Sequence, residues 1–222
     1  MLVVRQAVVG PFAENTWLVA DSETGDALVI DPGGDNDRVL DLAKPDFRVG
    51  RILATHGHAD HIFGAEELRE KTGAPFQIHP ADEPYVRALP RQAAALGLGA
   101  ARSPQVSSFL ADGEAVQVGR HEGVVIHTPG HTPGGMSLLF PAEKVLFTGD
   151  TLFAGSVGRT DLPGGNAPEL LRSIRERLFP LGDDVRFFPG HGPGGTLGEE
   201  RRANPYAGDD APRVPTPSRR RP

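Results

Sequence analysis

The chain has no cysteine at all. That excludes disulfides and thiolate ligands, so any metal must be held by histidines and carboxylates. It also lacks any run approaching the roughly 18 apolar residues that a bilayer-crossing helix requires. Positive charge is in the minority: 23 Lys and Arg stand against 29 Asp and Glu, a formal net charge of −6. Such a balance argues against nucleic acid or an anionic membrane surface as a partner. The opening residues, Met1-Leu2-Val3-Val4-Arg5, lead directly into strand-like sequence without a basic segment and a long apolar stretch behind it. No signal peptide is therefore expected, and a cytoplasmic location is the default expectation.

What remains is the composition of a folded enzyme-sized chain. Of 222 residues, 38% are hydrophobic and 23% charged, enough to bury a substantial core. Gly 28 and Pro 21 point to many tight turns between short elements, the places where folds carry functional groups. Strands are expected at Gln6–Val9, Thr16–Ala20, Ala27–Ile30, Arg51–Thr55 and Pro75–Ile78, then at Ala115–Val118, Val124–His127, Ser137–Phe140, Val145–Phe147 and Val185–Phe188. Helices are expected over Arg38–Ala43, Ile62–Lys71 and Ala167–Leu178. In the last of these Leu170, Ile174 and Leu178 share a face, and Asn166 with Glu169 supplies a capping signal. Residues 88–108 show no clear period and read as a partly helical loop. Strands preceding helices in both halves imply two packed sheets with helices outside. From Ala207 onward almost nothing is apolar, so a folded domain over 1–206 and a disordered tail over 207–222 are expected.

Four segments share one design, a short apolar strand running into a Gly- or Pro-marked turn that holds His or Asp. They are Ile52-Leu53-Ala54-Thr55-His56-Gly57-His58-Ala59-Asp60-His61, Val125-Ile126-His127-Thr128-Pro129-Gly130-His131, Leu146-Phe147-Thr148-Gly149-Asp150 and Phe187-Phe188-Pro189-Gly190-His191. Strand ends of packed sheets converge on one edge, where open α/β folds place their sites. His56 and His58, two apart on leaving a strand, can point the same way and grip one ion. Asp60 and His61 are displaced from that pair and suit a second ion. Imidazole and carboxylate without thiolate suit zinc, iron or manganese, and the residues do not choose among them. Each residue also has a plainer reading. Asp60 could cap a helix, Asp150 could sit in an ordinary turn, and His131 and His191 could be loop histidines. Their joint arrangement at four strand ends favours a metal centre.

Thr55-His56-Gly57-His58-Ala59-Asp60-His61 resembles the HxHxDH signature of the metallo-β-lactamase superfamily, and His131, Asp150 and His191 match its later ligand positions in order. The resemblance covers roughly residues 2–206. It implies a four-layer αββα sandwich with the site between the sheet edges. It also implies two divalent metal ions, with zinc the leading expectation and iron or manganese the alternatives. One ion would be held by His56, His58 and His131, the other by Asp60, His61 and His191, with Asp150 bridging and a hydroxide between the ions. The segment Gly155-Ser156-Val157-Gly158-Arg159-Thr160-Asp161-Leu162-Pro163-Gly164-Gly165 is similar to the loop after the bridging Asp in glyoxalase II-like proteins. The stretches 180–192 and 197–205 resemble the short bacterial branch of that group. Longer members carry a C-terminal helical extension whose basic residues hold glutathione, and this chain ends before one.

The expectation is therefore a metal-dependent thioester hydrolase acting on a small-molecule substrate, S-D-lactoylglutathione or a related hydroxyacyl thioester. Thioester cleavage is better supported than glutathione as the carrier. Asp60 and Asp150 would take part in the chemistry as well as in binding metal. The resemblance places Arg159 near a glutathione carboxylate, while a salt bridge to Asp161 is the structural alternative. Thr55, Thr128 and Thr148 flank ligands and could orient them, His127 could stand behind the site, and Asp31 with Gly33-Gly34 reads as structural. The main alternative activity is that of the persulfide dioxygenases, with one iron on His56 or its neighbour, His131 and Asp150. The Pro-Gly-His-Gly turn at 189–192 favours the hydrolase. A lactonase is a further alternative. Nothing in the sequence sets the oligomeric state.

Overall fold

The computed structural model describes residues 1–211. Its first sheet takes the strands in chain order: Leu2–Val9 (β1), Glu14–Asp21 (β2), Asp26–Ile30 (β3), Arg48–Leu53 (β4), Phe76–Ile78 (β5) and Val106–Phe109 (β6). β1 to β3 form an antiparallel meander, and β3 to β6 run parallel. The second half contributes Ala115–Val118 (β7), His121–His127 (β8), Met136–Phe140 (β9) and Val145–Gly149 (β10). A small ribbon of Leu152–Phe153 (β11) and Ser156–Val157 (β12) follows, then Arg186–Pro189 (β13) and Gly195–Thr196 (β14). The second sheet is ordered β14-β13-β10-β9-β8-β7.

Alternation along the central strands explains the layering. On β2, Trp17 and Val19 point into a core shared with Leu138, Phe140 and Phe147 of the second sheet. Leu18 and Ala20, on the opposite face, pack under helices Asn36–Ala43 (α1), Ala59–Ile62 (α2), Ala65–Thr72 (α3), Glu83–Arg87 (α4) and Leu89–Leu96 (α5), whose Val39, Ile62, Leu68, Val86 and Leu89 are buried. On β10, Phe147 faces the inter-sheet core, while Leu146 faces Leu170 of Ala167–Arg172 (α6) and Leu197 of Leu197–Ala203 (α7). A period of two buried on both faces requires cover on both faces, which yields helix, sheet, sheet, helix. The expected αββα sandwich is the observed fold. Truncating one of these buried leucines to Ala would cost about 2–5 kcal/mol.

Differences from expectation have local causes. The single helix expected over Ile62–Lys71 is broken at Phe63-Gly64, because Gly64 is held between Pro32 O and the Asn36 side chain, and a Cβ there would collide with both. The helix from Ala167 begins as expected, with Asn166 Oδ1 accepting from Glu169 N at 3.1 Å, but turns into a π-helix over Ser173–Leu178. Ser173 Oγ donates to Pro129 O there, and Ile174 and Leu178 stay buried. Residues 88–108 hold α5 and the start of β6, an edge strand so exposed that it shows no alternation. The packed chain also runs past the expected boundary at 206. Ala207 is 1% exposed, its carbonyl accepts from Arg175 Nε, and Gly208 N donates to Asn204 O. The rest of the expected tail, 212–222, lies outside the described residues. Among the described residues no helix is long and apolar enough to cross a membrane.

Candidate metal centre

β3 and β4 are parallel, β10 and β13 are parallel, and β8 shares the direction of β10 because both are antiparallel to β9. The C-terminal ends of the strands that precede Asp31, His56, His131, Asp150 and His191 therefore open on one edge. Long-range hydrogen bonds lock the two sheets together there. Met136 N donates to Thr55 O at 2.9 Å, and Trp17 Nε1 donates to Pro189 O at 3.1 Å. Asn15 Nδ2 donates to Pro189 O at 3.0 Å and to Gly192 O at 2.8 Å. Gly190 is needed at this edge, since a Cβ would run into Asp150 Oδ1 and His61 Cε1.

The seven expected ligands come together. His56, His58 and His131 offer one nitrogen each within 4.8 Å of one another, and Asp60, His61 and His191 form a second such group. Asp150 lies between them. Its Oδ1 is 3.4 Å from His61 Nε2, and its Oδ2 is 3.6 Å from His131 Nε2 and 3.7 Å from His191 Nε2. Asp60 Oδ2 is 3.3 Å from His191 Nε2.

Four of the five imidazoles are fixed through Nδ1, which leaves Nε2 facing inward. His131 Nδ1 donates to Arg159 O at 2.7 Å and His191 Nδ1 to Phe12 O at 3.2 Å. Both partners are carbonyls, so Nε2 keeps its lone pair when the ring is neutral. His61 Nδ1 meets Asp31 Oδ2 at 3.1 Å, and His56 Nδ1 meets Thr55 Oγ1 at 3.1 Å. His58 is reversed, with Nδ1 turned inward, 2.8 Å from His131 Nε2. Among the described residues the buried His56 Nε2, His61 Nε2 and Asp150 Oδ1 have no hydrogen-bond partner. Buried polar atoms left without partners within one His and Asp cluster suit the binding of a metal ion.

The charge pattern differs between the groups. Burial, then the neighbouring imidazoles, pushes His56 well below the ordinary histidine range and His58 down to about 4, so both are neutral donors at pH 7. Burial alone would also lower His61, but the Asp150 and Asp60 carboxylates raise it well above that range. Burial alone would raise Asp60 and Asp150, yet His61 and the other imidazoles hold both below the ordinary carboxylate range.

The Metallo-beta-lactamase superfamily profile matches residues 9–191. The chain belongs to this superfamily. It is 37% identical over 206 residues to the hydroxyacylglutathione hydrolase GloC of Haemophilus influenzae, covering 89% of this chain and 94% of that protein. Among solved structures, the BLEG-1 B3 metallo-beta-lactamase superposes with a TM-score of 0.85 at 32% identity, over 92% of this chain and 99% of that one. TTHA1623 in a di-iron-bound form gives 0.82 at 38%, over 91% and 99%. ETHE1 from Myxococcus xanthus gives 0.76 at 31%, over 92% and 84%.

Within this superfamily fold, the other residues singled out from sequence divide clearly. Asp60 does not cap a helix, because α2 has no side-chain cap and its carboxylate faces His61 and His191. Of the three threonines only Thr55 touches a ligand ring; Thr128 bonds Ser137 and Thr151, and Thr148 bonds Leu152 O. The Arg159 guanidinium makes a two-point ion pair with Asp161 at 2.8 Å and is 61% exposed, so what Arg159 gives the cluster is its carbonyl. His127 stacks on His79 and its Nε2 donates to Pro133 O, behind the His131 turn.

Three buried acids were not foreseen. Asp31, expected to be merely structural, accepts from Thr55 N and Thr55 Oγ1 and orients His61. The signal was present, since Asp31 closes β3 in the same strand-to-turn design as the ligands. Glu14 lies 3.8 Å from His61 Nδ1, takes a hydrogen bond from Thr16 Oγ1, and is pushed well up by burial. Asp82 holds the loops of the first group, and nothing local in the sequence announces it.

Proposed function

We propose that the chain is a metal-dependent thioester hydrolase of the glyoxalase II type, acting on S-D-lactoylglutathione or a related hydroxyacyl thioester. The observation that carries the reading is Asp150, whose carboxylate lies between two groups of three donors, within 3.4–3.7 Å of His61 and His191 of one and of His131 of the other. A carboxylate so placed suits a pair of divalent ions about 3.5–4 Å apart. His56, His58 and His131 would hold one ion, and Asp60, His61 and His191 the other. The likeness to GloC supports the substrate class.

When bound, such ions supply Lewis acidity toward an acyl oxygen and bring the pKa of water to about 7. The chain's own part is to present the His56 and His58 imidazoles as neutral donors, keep Asp60 and Asp150 ionised, and hold the donor groups together before substrate arrives. Asp60, 21% exposed, is positioned to accept a hydrogen bond from the attacking water and orient it. The departing thiol needs little help from a general acid, since thiols ionise near pH 8.5 (a pKa of about 8.5).

The test is hydrolysis of S-D-lactoylglutathione by protein of measured metal content, beside oxygen uptake with glutathione persulfide. Rapid thioester loss with about two ions per chain is expected. Oxygen uptake with a single iron and no hydrolysis would overturn the proposal in favour of a dioxygenase.

A further inference from the structure

The stretch from 80 to 92 wraps the backbone of the first ligand group. Asp82 ends a short 3-10 helix over Pro80–Asp82 and is fully buried. Its Oδ2 accepts from Gly57 N at 2.9 Å and from Thr132 Oγ1 at 2.7 Å, and its Oδ1 accepts from Gly134 N at 2.6 Å. Gly57 lies between His56 and His58, while Thr132 directly follows His131. One carboxylate thus ties the two loops that carry all three histidines, although these loops are more than seventy residues apart in sequence.

Neighbouring residues tighten the same grip. Gln92 Nε2 donates to Gly57 O at 3.1 Å and to Tyr85 O at 2.9 Å, so Gly57 is held through both its N–H and its C=O. The Tyr85 ring stands edge-on to His58 at 5.6 Å, and a Cβ on Gly57 would strike Tyr85 Cβ. Gly134 likewise has no room for a side chain against Asp82. The second ligand group has no hydrogen bond to Asp82; it is steadied by Asp31 and the Phe12 carbonyl.

We infer that Asp82 is a positioning residue for one half of the centre: by clamping the Gly57 and Thr132 loops it sets the affinity of the His56, His58, His131 group for its ion. The inference rests on the two-ion reading above. Asp82 touches no ligand side chain, so it acts through backbone geometry. A buried carboxylate whose oxygens are all engaged by donors is intolerant of an amide. In Asp82→Asn, either orientation turns the NH2 group toward Gly57 N or toward Gly134 N, a donor against a backbone donor.

The experiment is zinc binding measured by competition with a chromophoric chelator, in two backgrounds that isolate the groups. His191→Ala weakens the second group and leaves the three histidines intact; His58→Ala does the reverse. Asp82→Asn is expected to weaken zinc binding about 10–100-fold in the His191→Ala background and by less than about threefold in the His58→Ala background. Equal losses in both, or none in either, would overturn the inference and leave Asp82 a purely structural anchor. If Asp82→Asn does not fold, Thr132→Val removes one of the three donors and Thr132→Ser restores it. The same one-sided loss for Val and its recovery for Ser are expected, and a two-sided or absent loss overturns the inference. Wild-type protein that binds only one zinc would instead sink the two-ion reading itself.

Discussion

Histidines meet carboxylates at both ends of the sandwich, yet the two clusters behave differently. At the end opposite the candidate centre, Asp21 accepts from Glu23 N at 2.9 Å and Arg120 N at 2.8 Å, and His121 Nε2 and the Met1 amino group lie 3.8 Å away. His121 Nδ1 pairs with Glu143 at 2.5 Å. These groups largely satisfy one another, and of the described atoms there only Glu143 Oε2 is buried without a partner. At the candidate centre four of the five imidazoles are fixed from behind, and the inward atoms of His56, His61 and Asp150 are buried and unpartnered. Residue type does not separate a structural ion cluster from a ligand site. The direction of the unsatisfied atoms does: at the candidate centre several of them face one cluster, where a bound ion would satisfy them, whereas at the far end Glu143 Oε2 stands alone.

The most severe way to test this contrast is Asp150→Asn. Loss of the charge shared by both groups should lower bound metal from about two ions to one or none and cut thioester hydrolysis on the order of 10³-fold. An Asn variant that keeps both ions and its rate would show that Asp150 is not shared. Next in size is Asp31→Asn, which leaves His61 and Thr55 imperfectly paired. Zinc affinity of the second group should fall about 10–100-fold, with a smaller loss in the first group, which Asp31 reaches only through Thr55 and its contact with His56, read by the same chelator competition. Unchanged affinity would return Asp31 to a structural role.

The far cluster predicts an effect on stability alone. Backbone hydrogen bonds from Glu23 and Arg120 lower Asp21 from 3.8 to about 2. A depressed carboxylate stabilises the fold above its unfolded value, and that contribution fades as pH falls through the folded value. Acid unfolding should therefore show a component between pH 3.8 and about 2 that Asp21→Asn removes, with metal content at neutral pH unchanged. Metal loss in that variant would join the two ends that the comparison separates. The smallest effect is expected from Arg159→Ala. Its guanidinium is exposed and paired with Asp161, so thermal stability should be unchanged and KM should change by less than about threefold. A tenfold rise in KM would give the side chain the substrate contact that the family resemblance placed there.

By itself the sequence indicated two packed sheets with helices outside and His and Asp at four strand ends, and the resemblance of those motifs to a known superfamily implied the αββα sandwich and the seven candidate ligands. These are local signals: a strand of period two, a turn residue after it, and His or Asp at the turn can all be read within about ten residues. What the sequence left open depends on contacts between distant segments. Asp31 and Asp82 become parts of the site only because β3 lies beside β4 and because residues 80–92 fold back over Gly57. The Arg159 side chain and carbonyl face different ways, which no motif records. β6 was hidden because an exposed edge strand needs no alternation, and the helix break at Gly64 because it answers to Asn36 and Pro32, about thirty residues earlier. Candidate ligands are marked by spacing along the chain; the orientation of His61, His131 and His191 is decided only once tertiary packing brings anchoring carbonyls and a carboxylate behind their rings.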